Sequence, residues 1–425
     1  MSLAAWASRI GSAPLNFITL ALAANFLGAS GFGQIAVLAG ASTWFAVVDL
    51  GFATALQNEL SRRRGLGLAV DEVVAGALML TTAILVVGLP VILVWGWLAP
   101  FTLSTGESTF SGETLIALAF ITGISAWMSA AAQISVRLLI ALGAGRTPYG
   151  ILFISAVISF LLMQWVNVSG HALSPLVVCA ILYLAPAAGT CVNVVLLMRK
   201  FPGFRGALRA RFELLRSLWP KARQFLLFFV LGSLVLQLDY IVLGRMVAPD
   251  EVAQYSFASK VINFATVLYL LSLGVLWPRC SELIAQNRPL AVRALVQPYL
   301  RWGMVALAGL VAFVSLYRDH LFPVMGVPSG AVPSLLLVVS VGIYSVLRIW
   351  TDTYAMILQA SGRIDVLLRI VPVQALVSVV CQIVLCQQYG VAGVPAGVAI
   401  SFILTVAWYL PYKVSRYQQG ESSYG

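Results

Sequence analysis

Six charged side chains fall where charge is least welcome. Arg137, Lys260, Arg348, Asp49, Asp239 and Asp352 each lie inside a long apolar stretch of the chain. An ionised group at the centre of a bilayer costs roughly 2.5–3.5 kcal/mol on insertion scales, so each of these needs a partner or water. Guanidinium and ammonium groups in a medium of low dielectric offer charge-assisted hydrogen bonds to phosphate oxygens, and Arg can do so as a bidentate fork. Embedded carboxylates have two uses, to pair with such bases or to carry a proton across. Spacing supplies some pairs: Arg348 and Asp352 stand one helical turn apart, and Asp239 and Lys260 lie at similar depth on consecutive apolar stretches. Arg137 and Asp49 have no neighbour legible in the sequence. Two readings stay open: a wet cationic cavity lined by Arg137, Lys260 and Arg348, with Asp49, Asp239 and Asp352 as coupling or pairing acids, or ion pairs that only lock helices together.

The elements that must position these groups follow from composition. Of 425 residues, 60% are hydrophobic and only 10% charged, and the mean hydropathy is +0.95. Soluble domains carry roughly 25% charged residues, so lipid must be the solvent for most of this surface. A spanning helix needs about 20 apolar residues. Apolar runs separated by charge or turn clusters predict twelve spans, at 9–28, 33–57, 73–97, 114–142, 150–167, 175–198, 224–247, 253–277, 299–317, 333–360, 367–387 and 391–411. The fold class is therefore all-α and integral to the membrane. Leu15 to Leu27 has the look of a signal-peptide core, but losing it would destroy the internal repeat described below, so it is read as a retained first helix.

Nineteen of the 26 basic residues fall in the segments that are intracellular if the N-terminus is inside, and the outer loops hold only Arg318. By the positive-inside bias, both termini are expected in the cytoplasm. This placement also accounts for the net charge of +11 without any nucleic-acid partner. Asp239 and Lys260 then both sit in the outer half of the membrane.

The chain repeats itself. Shifted by 223 residues, Leu15-Asn16-Phe17-Ile18 falls on Leu238-Asp239-Tyr240-Ile241, Leu50-Gly51 on Leu273-Gly274 and Glu59-Leu60 on Glu282-Leu283. Gly145-Arg146 matches Gly362-Arg363, and Pro175 matches Pro395 at the heads of the sixth and twelfth spans. Six helices per half give both halves one orientation, so a pseudo-two-fold along the membrane normal is expected. The predicted organisation is a six-helix lobe at 1–198, a basic linker at 199–223, a second six-helix lobe at 224–411 and a cytoplasmic tail at 412–425. In the linker, Phe204, Leu208, Phe212, Leu215 and Trp219 recur at helical spacing between arginines such as Arg205, the pattern of an amphipathic helix on the inner leaflet.

No catalytic constellation is present. There is no DxD pair and no GxxxxGK[ST] loop, and the longest outer loops, 98–113 and 318–332, are short for an enzyme working on the outer face. The five cysteines, Cys179, Cys191, Cys280, Cys381 and Cys386, form no CxxC, and His171 and His320 lie in short loops. Neither a metal, a cofactor nor a disulfide framework is expected.

The stretch Leu27-Gly28, Phe32-Gly33, Asp49-Leu50-Gly51 and Glu59 resembles the opening helix pair of polysaccharide exporters. Asp239-Tyr240-Ile241-Val242-Leu243-Gly244, Tyr255 and Lys260 resemble the seventh and eighth helices of the same family, although Val252-Ala253-Gln254-Tyr255 lacks the glycine of its "vGxY" turn. The family is that of the Wzx-type O-antigen flippases, in the multidrug/oligosaccharidyl-lipid/polysaccharide exporter superfamily. The resemblance implies two lobes flanking a cavity open alternately to each side. It implies a substrate, an oligosaccharide repeat unit on undecaprenyl pyrophosphate, moved to the outer leaflet of the bacterial inner membrane. Membrane lipids, a polysaccharide polymerase and a chain-length regulator are the partners it suggests. The rival readings are an ion-coupled drug exporter of the same superfamily, the peptidoglycan-precursor flippase, which typically has two further helices, and a membrane glycosyltransferase or polymerase.

Overall fold

The computed structural model describes residues 3–65, 67–103, 109–169, 174–201, 208–285, 288–361 and 363–418. Among them the secondary structure is helical throughout, with no strand. Lipid dictates this, because a helix satisfies every backbone donor and acceptor within its own segment. The chain divides into two compact units, Met1–Val230 and Leu231–Gly425.

The first unit opens with α1 (Leu3–Ser42), which Gly28 interrupts at φ 74°, ψ 163°. A single 3-10 segment, Thr43–Val47, leads to the turn Asp49-Leu50-Gly51. Then come α2 (Phe52–Gly65), α3 (Asp71–Leu103), α4 (Gly112–Ala141) and α5 (Arg146–Ser169). A short α6 (Pro175–Cys179) runs through a π turn, Ala180–Leu184, into α7 (Ala185–Lys200). The last helix, α8 (Leu208–Leu236), ends beyond the boundary of the unit. Serines cap the starts: Ser111 and Ser174 side chains accept from Thr114 and Leu176 N–H, each at 3.3 Å.

One apolar cluster holds α2, α3, α4, α7 and α8 together, with Leu56, Leu60, Val74, Leu138, Leu197 and Ala222 among its buried members. Trp127 of α4 seals it toward α3, its indole N–H donating to the Ile84 carbonyl at 2.9 Å. This packing fixes the face of α4 that carries Arg137.

The second unit contains α9 (Asp239–Met246), α10 (Pro249–Ala285), α11 (Pro289–Val324) and α12 (Leu335–Ala360). It continues with α13 (Ile364–Tyr389), α14 (Gly393–Leu404) and α15 (Val406–Gln418). Gly390, at φ 59°, ψ −143°, separates α13 from α14. Thr405 leaves helical geometry between α14 and α15. There the Trp350 indole donates to the Ala407 carbonyl at 2.7 Å, satisfying backbone near the break.

Ten stretches of the described residues are long and apolar enough to cross a membrane. Two of them, Ile10–Val47 and Ile364–Tyr417, contain the breaks at Gly28 and Gly390, so about twelve helices result. Large apolar side chains stand exposed on them, Val86 at 69%, Trp302 at 74% and Leu316 at 79%. No soluble protein tolerates such contiguous faces in water; the chain is a multi-span membrane protein.

Three details depart from the sequence reading. The span expected to run unbroken over 33–57 is interrupted at Asp49-Leu50-Gly51, because Asp49 caps a new helix there. The span expected over 224–247 is split between α8 and α9 just ahead of Asp239. The basic segment before it is no separate surface helix from Leu208 onward: it runs into the next apolar stretch as α8, with Pro220 inside. Of the apolar residues in that pattern, Leu215 packs on the first unit's core, whereas Phe212 and Trp219 stand exposed. Phe204 and Arg205 of that expectation, like His171, lie outside the described residues.

Candidate functional site

In the first unit the charged group is built on a strained turn. Leu50 has φ 51° and Gly51 φ 78°, so two successive residues are left-handed. The turn exposes the N–H groups at the head of α2, and the Asp49 carboxylate takes two of them, from Gly51 at 3.0 Å and from Ala53 at 3.1 Å. Asp49 is 6% exposed. Its negative charge acts on Arg137 of α4. The Arg137 guanidinium donates to the Thr54 hydroxyl, in the first turn of α2, and lies 5.7 Å from the centre of the Phe229 ring. A cation over an aromatic face gains about 0.5–2 kcal/mol. Asp49 and Arg137, for which the sequence offers no neighbours, thus find their direct partners in the head of α2 and in Thr54, with the Asp49 charge acting on Arg137 from a distance.

The second unit gathers a larger polar group. Asp239, at the start of α9, accepts from the Tyr240 N–H at 2.9 Å and from the Tyr255 hydroxyl of α10. The Tyr240 and Tyr255 rings meet edge to face with centroids 5.4 Å apart, and the Tyr240 hydroxyl sits 3.2 Å from that of Ser256. On α12, Arg348 donates through Nη1 to the Tyr344 hydroxyl at 3.2 Å and through Nε to Asp352 Oδ2 at 3.4 Å. The charge of Arg348 also reaches Asp239. A 3.4 Å contact is long for an N–H···O bond, so Asp352 holds Arg348 loosely. Two of the five guanidinium donors have these protein partners.

Lys260 behaves differently. The anticipated pairing with Asp239 does not form: the Tyr255 hydroxyl occupies that carboxylate, and Lys260, five residues farther along α10, faces another side of the helix. Its side chain is exposed and makes no ion pair among the described residues.

The structure therefore joins Arg348 directly to Asp352, places Asp49 within electrostatic reach of Arg137 and Asp239 within reach of Arg348, and leaves Lys260 open. It adds Thr54, Phe229, Tyr240, Tyr255 and Tyr344. Tyr344 was legible, being four residues before Arg348 on one helix; Thr54 and Phe229 carried no signal. Chemically, each unit holds a guanidinium able to donate hydrogen bonds to an anion and carboxylates able to balance its charge. Among the described residues no group of three His, Cys, Asp or Glu side chains comes together.

The chain as a whole is similar to several known proteins. The profile of a family described as polysaccharide biosynthesis protein matches residues 3–284. A Salmonella typhimurium protein named for O-antigen transport is 26% identical over 420 residues, covering 96% of this chain and 94% of that protein. A Yersinia pseudotuberculosis protein named for O-antigen export is 25% identical over 428 residues, covering 96% and 93%. Among solved structures, an inward-facing multidrug resistance MATE family transporter of the MOP superfamily superposes with TM-score 0.71 at 14% identity, over 97% of this chain and 96% of that one. The lipid II flippase MurJ, in an inward closed conformation, gives TM-score 0.63 at 14% identity, over 97% and 88%. At that identity the two structures share the fold. With a profile match over more than half its length, and with the resemblance to the Wzx-type flippases borne out, the chain belongs to the polysaccharide biosynthesis protein family.

Proposed function

We propose that this protein is a flippase that moves undecaprenyl-pyrophosphate-linked oligosaccharide repeat units from the inner to the outer leaflet of the bacterial inner membrane. It works by alternating access, with both termini in the cytoplasm. The observation that carries the reading is the pair of embedded arginines. Arg137 and Arg348 are placed by different elements, and each is held by neutral or loosely bound partners. A pyrophosphate needs such donors on its way through a low-dielectric medium, where charge-assisted hydrogen bonds are about twice as strong as neutral ones. Lys260, unpaired on α10, supplies a further attractive charge. When the anion departs, Asp49, Asp239 and Asp352 balance the bases, so the empty protein need not carry naked cations across.

Energy coupling belongs to the same proposal. Asp49 holds the head of α2 and acts on Arg137; loss of its negative charge would weaken both interactions. That links an ion gradient to the grip on the anion.

The test is complementation of a bacterium lacking its O-antigen flippase. Arg137→Ala and Arg348→Ala are expected to abolish surface glycan while the protein still accumulates in the membrane. Arg→Lys at either position should keep part of the activity, since attraction survives without the bidentate geometry. Normal export by both alanine variants refutes the reading. Failure of either variant to accumulate assigns that arginine to helix locking instead.

A further inference from the structure

A cavity of about 180 Å³ opens at one end of the second unit, between the first turns of α11, the last turns of α12 and the end of α15. It belongs to none of the groups described above. Its polar lining is Arg293 and Gln297 of α11, Thr353 and Tyr354 of α12, and Ser415 of α15. Thr353 is already engaged, with the Tyr269 hydroxyl at 2.7 Å and the Ile349 carbonyl at 2.6 Å. Arg293, Gln297, Tyr354 and Ser415 are not: none of the four makes a side-chain hydrogen bond or ion pair among the described residues. The charge of Arg293 reaches the Tyr354 phenol, and no carboxylate lines the space. Four unengaged groups, rich in donors and carrying one fixed positive charge, converge on it. Such a lining calls for an anion with several acceptor oxygens.

Size and surroundings narrow the choice. The space of about 180 Å³ has room for a phosphate diester. More positive charge approaches α15: its own Lys413 lies 5.5 Å from the Tyr409 ring centre, and Arg363, at the head of α13, lies 5.8 Å from that of Tyr417. Immediately beside the lining residues, α11 and α15 present exposed aromatics, Tyr299 and Trp302 on one, Trp408 and Tyr412 on the other. Aromatic side chains at this exposure mark the headgroup level of a bilayer, and basic pockets between helices at that level take phosphate headgroups. We propose that this cavity holds the phosphate headgroup of one anionic phospholipid, with Arg293 as its charged ligand and Gln297, Tyr354 and Ser415 completing the shell. The site is independent of what the protein transports.

The experiment uses the full chain in a neutral detergent, titrated with phosphatidylglycerol or phosphatidylcholine and read by native mass spectrometry as bound lipid per protein. One phosphatidylglycerol should bind at least tenfold more tightly than phosphatidylcholine. Arg293→Ala should remove that preference, Arg293→Lys should restore part of it, and Gln297→Leu should weaken it with the charge intact. Arg301→Ala, which removes an exposed charge from the same helix outside the cavity, should leave it unchanged. Equal binding of the two lipids, or parent-like binding by Arg293→Ala, overturns the proposal. So does displacement of the lipid by millimolar inorganic phosphate, which would make this a site for the free anion. Because the readout is lipid binding, an Arg293 variant can fail here while export is normal, and the reverse.

Discussion

Replacing Gly51 by alanine tests the turn on which the first unit's charged group is built. Two costs are separable. Residue 51 has φ +78°, and an L-residue in the left-handed region pays roughly 1–2 kcal/mol. The added Cβ would also lie 2.3 Å from the Ala222 carbonyl oxygen and 2.7 Å from the Leu226 nitrogen of α8. Both are backbone atoms of a packed helix, so neither can rotate away; helix α8 must shift, and overpacking of this kind costs about 1–3 kcal/mol. The total is about 2–5 kcal/mol. Gly67 is the control: its φ is +69°, yet nothing lies within 4 Å of its would-be Cβ, so Gly67→Ala pays the strain alone. The assay heats detergent-solubilised protein in steps and follows the surviving monodisperse peak. Each kcal/mol is worth roughly 2–4 °C for a domain of 150–250 residues, so Gly51→Ala should melt at least about 2 °C below Gly67→Ala. Equal losses in the two variants would refute the close approach of α8 to the Asp49 turn, and with it the account of how Asp49 and Arg137 are held.

Three further outcomes are expected. Asp49→Asn, in vesicles with an imposed pH gradient, should flip lipid-linked oligosaccharide without responding to the gradient; a parent-like response removes Asp49 from the coupling scheme. Tyr255→Phe takes from Asp239 its side-chain hydrogen-bond donor; a bond to a charged group contributes about 1.5–3 kcal/mol, so the solubilised variant should melt several degrees lower, and an unchanged melting temperature would show that this bond contributes nothing. Reporter fusions after residues 65, 205 and 288 should report cytoplasm and those after 106, 171 and 325 the outside, and a consistent map with an odd number of spans would sink the parallel repeat.

Composition and apolar run length were enough to set the solvent, the approximate helix count and the list of costly charges. Those are properties of local composition: a run of about 20 apolar residues has one stable fate in lipid, and a charge within it is conspicuous whatever surrounds it. The sequence also contained the pairs that helical periodicity brings together, Arg348 with Asp352 and with Tyr344, since residues four apart share a face. Where the helices break was decided otherwise. Val47 and Val48 read on into Phe52 as one apolar run, and only the fold shows that the carboxylate of Asp49 ends it by capping α2. Nor could spacing couple Asp49 to Arg137, which are 88 positions apart, or bring Phe229 over the guanidinium. Those contacts depend on how α2, α4 and α8 pack through Leu56, Leu138 and Ala222, and packing is a sum over many small side chains that carries no local signature. The same holds for Lys260, whose expected partner Asp239 is taken by Tyr255. Depth along a span follows from counting residues, whereas the direction a side chain faces is set by the neighbours its helix must fit.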